Sequence, residues 1–255
     1  MKTLKWPKVF FVSKNLVIIP AYNEEETIYE VVTKSLMHVD VSVTNDGSKD
    51  KTAAILKSIK EECDQGKYPH KLNIITHPEA THIPRSLQDG LIYACASNYD
   101  LIVTMDAGLS HDPNALPDFF IYNPTVDVII GSRRRMQHVP LYRKAISVIA
   151  RMVVNYALTN SYFDILGPGI KDCTSGYRRY SRRACELIAK TKLKSKAFDF
   201  HMEALALCYR AGMKVEEISI SYVFSNSSFN KKVLKQAIKF GIHLISTKNQ
   251  SVSFS

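Results

Sequence analysis

A chain of 255 residues, 45% hydrophobic, with ten Gly and ten Pro and no fixed-period repeat, is long enough for one compact domain with a sizeable core. It excludes disordered, collagen-like and solenoid compositions, and five widely spaced cysteines exclude a disulfide framework or a zinc-ribbon pattern. The net charge of +10 is uneven: residues 1–132 hold 12 Lys+Arg against 17 Asp+Glu, a balance of −5, whereas residues 133–255 hold 22 against 7, a balance of +15. The second half is therefore expected to face anions: phosphorylated substrates or an anionic membrane surface. No nucleic-acid reader motif accompanies that charge, so no nucleic-acid partner is expected.

In chain order, the start MKTLKWPKVFFVSKN has too short an apolar stretch for a secretory signal. No later run approaches the roughly 20 apolar residues that cross a bilayer. The expected location is cytoplasmic, peripherally associated with the membrane. Five short runs rich in β-branched residues predict strands at Leu16–Ile19, Val41–Thr44, Leu72–Ile75, Leu101–Met105 and Val126–Ile130. Helical patterns lie between them at Glu25–Met37, Asp50–Cys63 with Asp50 as N-cap, and Ser86–Ser97. Strand alternating with helix predicts an α/β fold with a mostly parallel sheet covered on both faces.

After Arg135 the pattern changes. Leu141–Tyr162 reads as an amphipathic helix with Ile146, Ile149, Val153, Tyr156 and Ala157 on one side. A break at Gly167–Gly169 and a loop at Asp172–Arg178 follow. Helices are then predicted at Arg182–Lys190 and Phe198–Ala211, a strand at Val215–Ile220, and a basic helix from Lys231 to about Ile245. The expected organisation is a single domain over residues 1–240, divided into 15–132 and 133–240, with residues 241–255 as a tail.

An open α/β sheet gathers its ligands at the carboxyl ends of its strands. Three polar segments fall there: PAYNEEE from Pro20 to Glu26, NDGSKDKT from Asn45 to Thr52 and MDAGLSHDP from Met105 to Pro113. A carboxylate such as Asp106, directly after a buried strand, suits a divalent cation carrying a diphosphate. His111 and Asp112 follow closely, either to add a ligand or to begin the next helix.

With GSR at Gly131–Arg133, DCTSGYR at Asp172–Arg178 and the Phe198–Ile220 stretch ending in EEISIS, these segments resemble glycosyltransferase family 2. Within it they are most similar to the dolichyl- or polyprenyl-phosphate sugar synthases, over roughly residues 15–235. The resemblance implies a GT-A fold, Rossmann-like, with a basic C-terminal acceptor-side portion. It implies inverting transfer from a nucleoside-diphosphate sugar to a polyprenyl phosphate.

It also implies residue roles. Pro20, Ala21, Tyr22, Glu24, Thr44, Asp46, Asp106, Ala107 and Arg133 would bind the donor, and Asp106 would hold Mg2+ or Mn2+. Asp106, Asp172 and Arg133 would be catalytic, and Arg178 and Lys231 would meet the acceptor phosphate. A membrane-anchored partner subunit fits the same picture. Departures from the family pattern are Gly108 and Asn45, where Asp is common, Ser225 near a common Arg, and Ala80–Arg85 in place of a Gly-rich turn. A hydroxyl acceptor, or a nucleotide-sugar-binding protein without catalysis, are the alternatives.

Overall fold

In the first predicted strand, Leu16 and Ile18 alternate with Val17 and Ile19, so its two faces bury two different apolar sets. A strand buried on both faces belongs in the middle of a covered sheet. In the computed structural model, which describes residues 13–137, 141–159, 161, 163–164, 166–223 and 231–248, it occupies that place. The side chains of 134–145 and 231–238 lie outside that description.

The elements run β1 (Asn15–Ala21), α1 (Ile28–Ser35), β2 (Asp40–Asn45), α2 (Thr52–Asp64), β3 (Leu72–Thr76), α3 (Ile83–Ala96), β4 (Leu101–Thr104), α4 (Leu116–Ile121), β5 (Val128–Gln137), α5 (Leu141–Leu158), β6 (Arg178–Ser181), α6 (Arg182–Lys190), α7 (Phe200–Arg210), β7 (Val215–Val223) and α8 (Lys231–Ser246). The seven strands are ordered β3-β2-β1-β4-β6-β5-β7. All neighbours pair parallel except β6, which runs antiparallel to both β4 and β5.

Because β6 reverses direction, α6 climbs back and delivers the start of α7 to the ligand-bearing end of the sheet. The hydroxyl of Thr104, the last residue of β4, donates to the Gly176 carbonyl at 2.8 Å, tying the Asp172–Arg178 loop beside the β4 carboxyl end. Glu217 of β7 accepts the backbone N–H of Asp172 at 2.8 Å and that of Lys171 at 3.1 Å. The EEISIS segment thus acts by positioning that loop.

Several boundaries differ from expectation. β6 was read as the end of a loop. Arg178 and Arg179 within it are fully buried, and Arg179 donates to the carbonyls of Phe119, Tyr122, Asn123 and Val126. β5 extends through Gln137 because β7 pairs along it, with a register irregularity between Arg133 and Arg135, so Arg133 lies within the strand. α5 ends at Leu158 rather than Tyr162. The basic helix expected from Lys231 to about Ile245 runs to Ser246, so its last turn lies within the span 241–255 set apart as a tail, and Leu244 is buried.

α8 packs on α5 at Gly241, where an added Cβ would lie 2.8 Å from Val153 Cγ1, so only glycine allows the approach. The expected sidedness of α5 is also revised. Val154 and Ala157 are buried, whereas Ile149 is on the exposed side with Val148 and Met152.

Candidate active site

The loops after β1 and β2 form one clasp. Asn23 takes a left-handed conformation with φ 54°, which Asn tolerates better than most residues. Its N–H donates to Ser48 Oγ at 3.0 Å, and its Oδ1 accepts the Lys49 N–H at 2.8 Å. Glu24 N–H donates to Thr52 Oγ1, Glu25 N–H to Asp50 Oδ2, and Lys51 N–H to Glu25 Oε2. The N-cap of α2 is Lys51 rather than the expected Asp50, whose carboxylate nonetheless accepts the Thr52 N–H at the helix start. Asn45 Oδ1 accepts from Ser48 N–H at 3.2 Å. An amide oxygen serves there as a carboxylate would, so this departure preserves the turn.

Asp46, buried behind that clasp, is more engaged than a free donor-binding carboxylate. Its Oδ1 receives His77 Nδ1 at 2.7 Å, Thr81 N–H at 2.8 Å and Thr81 Oγ1 at 2.7 Å, and its Oδ2 receives His82 N–H at 2.8 Å. Burial works to raise its pKa, but these bonds outweigh it and hold the carboxyl below the ordinary range. His77 reaches on to Asp89 Oδ2 at 3.0 Å. The 80–85 turn is therefore anchored by Asp46 in place of glycines, with His82 at φ 73°.

Two other donor assignments are corrected. Thr44 is fully buried and donates to the Ser86 carbonyl at 3.0 Å, so it supports α3 rather than lining a pocket. Ala107 is buried as well. Pro20 and Ala21 end β1, with the Ala21 carbonyl accepting the Asp46 N–H. Tyr22 presents its ring to solvent, and Glu24 is partly buried. Burial, against a hydrogen bond from Thr27 and with repulsion from Asp106, raises the Glu24 pKa.

Asp106 follows β4 with its side chain 42% exposed. Its N–H donates to His111 Nδ1 at 3.3 Å, and the same nitrogen lies 3.6 Å from its Oδ2. Burial outweighs the neighbouring carboxylates and lowers the His111 pKa. The ring packs against Tyr177 and Tyr222 with centroids 5.0 and 5.8 Å away. Asp112 accepts the Asn114 N–H at 3.0 Å and so opens the next turn of helix. Of the pair considered near Gly108, His111 orients the Asp106 turn and Asp112 is a cap.

Arg133 and Asp172 come together as a bidentate pair, at 2.7 Å from Nε and 2.8 Å from Nη2. Thr174 Oγ1 accepts from the same Nη2 at 2.7 Å, and Tyr222 lies beneath the guanidinium at 5.3 Å. Burial opposes ionisation of Asp172, but Arg133 prevails and brings its pKa down to about 2. Asp172 also accepts the N–H groups of Arg133 and Ser175, so its carboxylate is held in place by the loop and by Arg133.

Arg178 is corrected too. Fully buried, it donates to the carbonyls of Ser175, His201 and Cys173, so it staples the Asp172–Arg178 loop to α7 and presents no exposed surface. Lys231 begins α8, but its side chain lies outside the described residues, as does Ser225.

Missed by the sequence reading were His77, Thr81 and His82, and His201 at the start of α7. His201 is buried, with no partner for Nδ1 among the described residues. Burial, with Arg178 next, pushes its pKa well below the ordinary histidine value. A cavity of about 680 Å³ opens beside Thr81 and His82, lined on its far side by Lys190, Lys192 and Lys196. Basic residues thus face the rim formed by Thr81 and His82.

The chain is 28% identical over 225 residues to a UDP-N-acetylglucosamine–dolichyl-phosphate N-acetylglucosaminyltransferase of Methanococcus voltae, covering 83% of this chain and 86% of the relative. It is 28% identical over 217 residues to the polyprenol monophosphomannose synthase of Mycolicibacterium smegmatis, with coverages of 82% and 77%. Glucosyl-3-phosphoglycerate synthase from Mycobacterium tuberculosis, solved with Mn2+, UDP and phosphoglyceric acid, superposes with a TM-score of 0.65 at 17% identity, covering 95% of this chain and 81% of that one. A Pyrobaculum calidifontis mannosyltransferase with GDP-Man and Mn2+ gives 0.57 at 14% identity, with coverages of 95% and 76%. The two structural likenesses show a shared fold. The family model for glycosyl transferase family 2 matches residues 16–188, from β1 through α6, and the chain belongs to that family.

Proposed function

We propose that the protein transfers one sugar from a nucleoside diphosphate to a polyprenyl phosphate, with inversion at the anomeric carbon. The observation that carries this reading is the family match across β1 to α6, together with relatives named for transfer to dolichyl, polyprenol and undecaprenyl phosphates. Tyr22 and Glu24 at the clasp, with Asp46 behind it, form the nucleoside end of the site, and Asp106 the diphosphate end. A carboxylate at a strand end, half open to solvent and next to a glycine-made space at Gly176, fits a divalent cation. When bound, such a cation would neutralise charge on the departing diphosphate.

An acceptor phosphate, with a second pKa of about 6, is already an oxyanion near neutral pH. It needs positioning rather than deprotonation. The Arg133–Asp172 pair suits that chemistry, because it offers an oriented positive charge while keeping Asp172 from acting as a base. Attack of the phosphate oxygen on the anomeric carbon forms the glycosyl phosphate bond, and the nucleoside diphosphate leaves with the electron pair of the broken bond.

Membrane association is supported by the exposed apolar side of α5 and α8. Val148, Ile149 and Met152 on α5 and Ile242 on α8 stand exposed, with Phe163 and Leu166 exposed on the turn that follows α5. Lys239, exposed one turn before Ile242, borders them. Among the described residues no helix is long and apolar enough to cross a membrane, which suits an interfacial position. A direct test is transfer of labelled sugar from a panel of UDP- and GDP-sugars into an organic-extractable product. The reading expects product only when polyprenyl phosphate is supplied, and transfer to a free sugar hydroxyl without lipid would refute it.

A further inference from the structure

Position 108 leaves the Asp106 turn without its second carboxylate, and the structure offers a different group to the same space. Gly176 lies beside the end of β4, held by the Thr104 bond to its carbonyl. An added Cβ there would meet His201 Nε2 at 2.9 Å and Asp106 Oδ1 at 3.1 Å. The imidazole nitrogen and the carboxylate oxygen therefore border one small space, kept open by the absence of a side chain at Gly176. No positive φ accompanies this glycine, so the space rather than the backbone accounts for it. Among the described residues His201 Nδ1 has no hydrogen-bond partner.

We propose that His201 is the second protein contact of the divalent cation at Asp106, replacing the carboxylate missing at Gly108. The inference rests on the donor-site reading given above. His111 is the weaker candidate despite its 3.6 Å approach to Asp106 Oδ2, because its Nδ1 already accepts the Asp106 N–H. A mixed imidazole and carboxylate site favours manganese over magnesium, which prefers all-oxygen ligation and keeps its waters. Carboxylate ligation suits magnesium and manganese alike. The substitution at Gly108 thus changes the metal selected rather than removing the site.

The test is Mn2+ and Mg2+ affinity of the full chain in the presence of UDP or GDP, by calorimetry and by electron paramagnetic resonance. The wild type is expected to hold Mn2+ at least ~10-fold more tightly than Mg2+, with nitrogen modulation in the Mn2+ echo signal. His201→Ala should lose that modulation and weaken Mn2+ by about 10-fold or more. Gly176→Ala, which leaves His201 intact but fills the shared space, should weaken Mn2+ similarly while the thermal transition stays cooperative. Gly108→Asp in the His201→Ala background should restore cation affinity and bring Mg2+ level with Mn2+. Unchanged Mn2+ affinity and modulation in folded His201→Ala would overturn the role of His201 while leaving the donor site standing. Failure of the wild type to bind either cation with either nucleotide would overturn the donor-site reading as well.

Discussion

Three carbonyl oxygens point at the buried guanidinium of Arg178, and that count determines what its removal does. Leaving buried acceptors unsatisfied costs about 1–3 kcal/mol each, so Arg178→Ala should lose more than about 3 kcal/mol in urea unfolding. Wild-type stability combined with a raised acceptor requirement would return Arg178 to the acceptor site. Asp106→Asn should behave differently, keeping its stability while losing metal-dependent nucleotide binding, because an amide lacks the charge that holds a cation against phosphate repulsion. Thermal shift with UDP or GDP and Mn2+ reads both effects. These residues show where sequence legibility stops. The motif containing Arg178 was visible, but a motif does not separate residues that line a site from those that brace it. His201 carried no local signal: it lies 95 positions beyond Asp106 in the chain, and only the reversal at β6 brings the two together.

At the scale of elements, the strands with clear apolar runs were legible because both faces are buried, and α6 was predicted with its observed boundaries at Arg182 and Lys190. β6 was not legible, since Arg178 and Arg179 neutralise their burial through backbone carbonyls that hydropathy cannot register. The same strand makes the sheet mixed rather than parallel. The join between β5 and the Asp172 loop supplies a pH prediction. The Asp172 pKa of about 2 lies below its ordinary 3.8, so the stability it contributes is complete above about pH 4 and is lost as pH falls towards 2. The loss should be on the order of 2 kcal/mol. Urea unfolding from pH 5 to 2.5 should show this acid-side decline in the wild type and a shallower one in Asp172→Asn. Equal slopes would mean that the Arg133 pair does not stabilise the fold.

For the whole molecule, charge and apolar surface point to the same side of function. The half with a balance of +15 also contains α5 and α8 with their exposed Ile149, Met152 and Ile242. Basic side chains near an anionic surface contribute about 1 kcal/mol each, and apolar insertion adds a part that salt does not screen. Sedimentation with anionic vesicles should therefore show binding that weakens with salt without vanishing. Ile149→Asp with Met152→Asp, both exposed, should remove the salt-resistant part and leave folding intact. Equal binding by this variant and the wild type would move the contact elsewhere.

The central claim is that the acceptor is a phosphate, ionised before it arrives, and the most direct measurement gives the protein two lipids that differ only in that group. Labelled nucleotide sugar with Mn2+ is presented with dolichyl phosphate or with dolichol, in the same detergent and at the same concentration. The account predicts label in the organic phase with dolichyl phosphate alone, at a rate flat above about pH 7, where the second phosphate pKa of about 6 has been passed. Equal or faster transfer to dolichol would contradict it, because that hydroxyl needs a base that Asp172, locked to Arg133, is not free to supply.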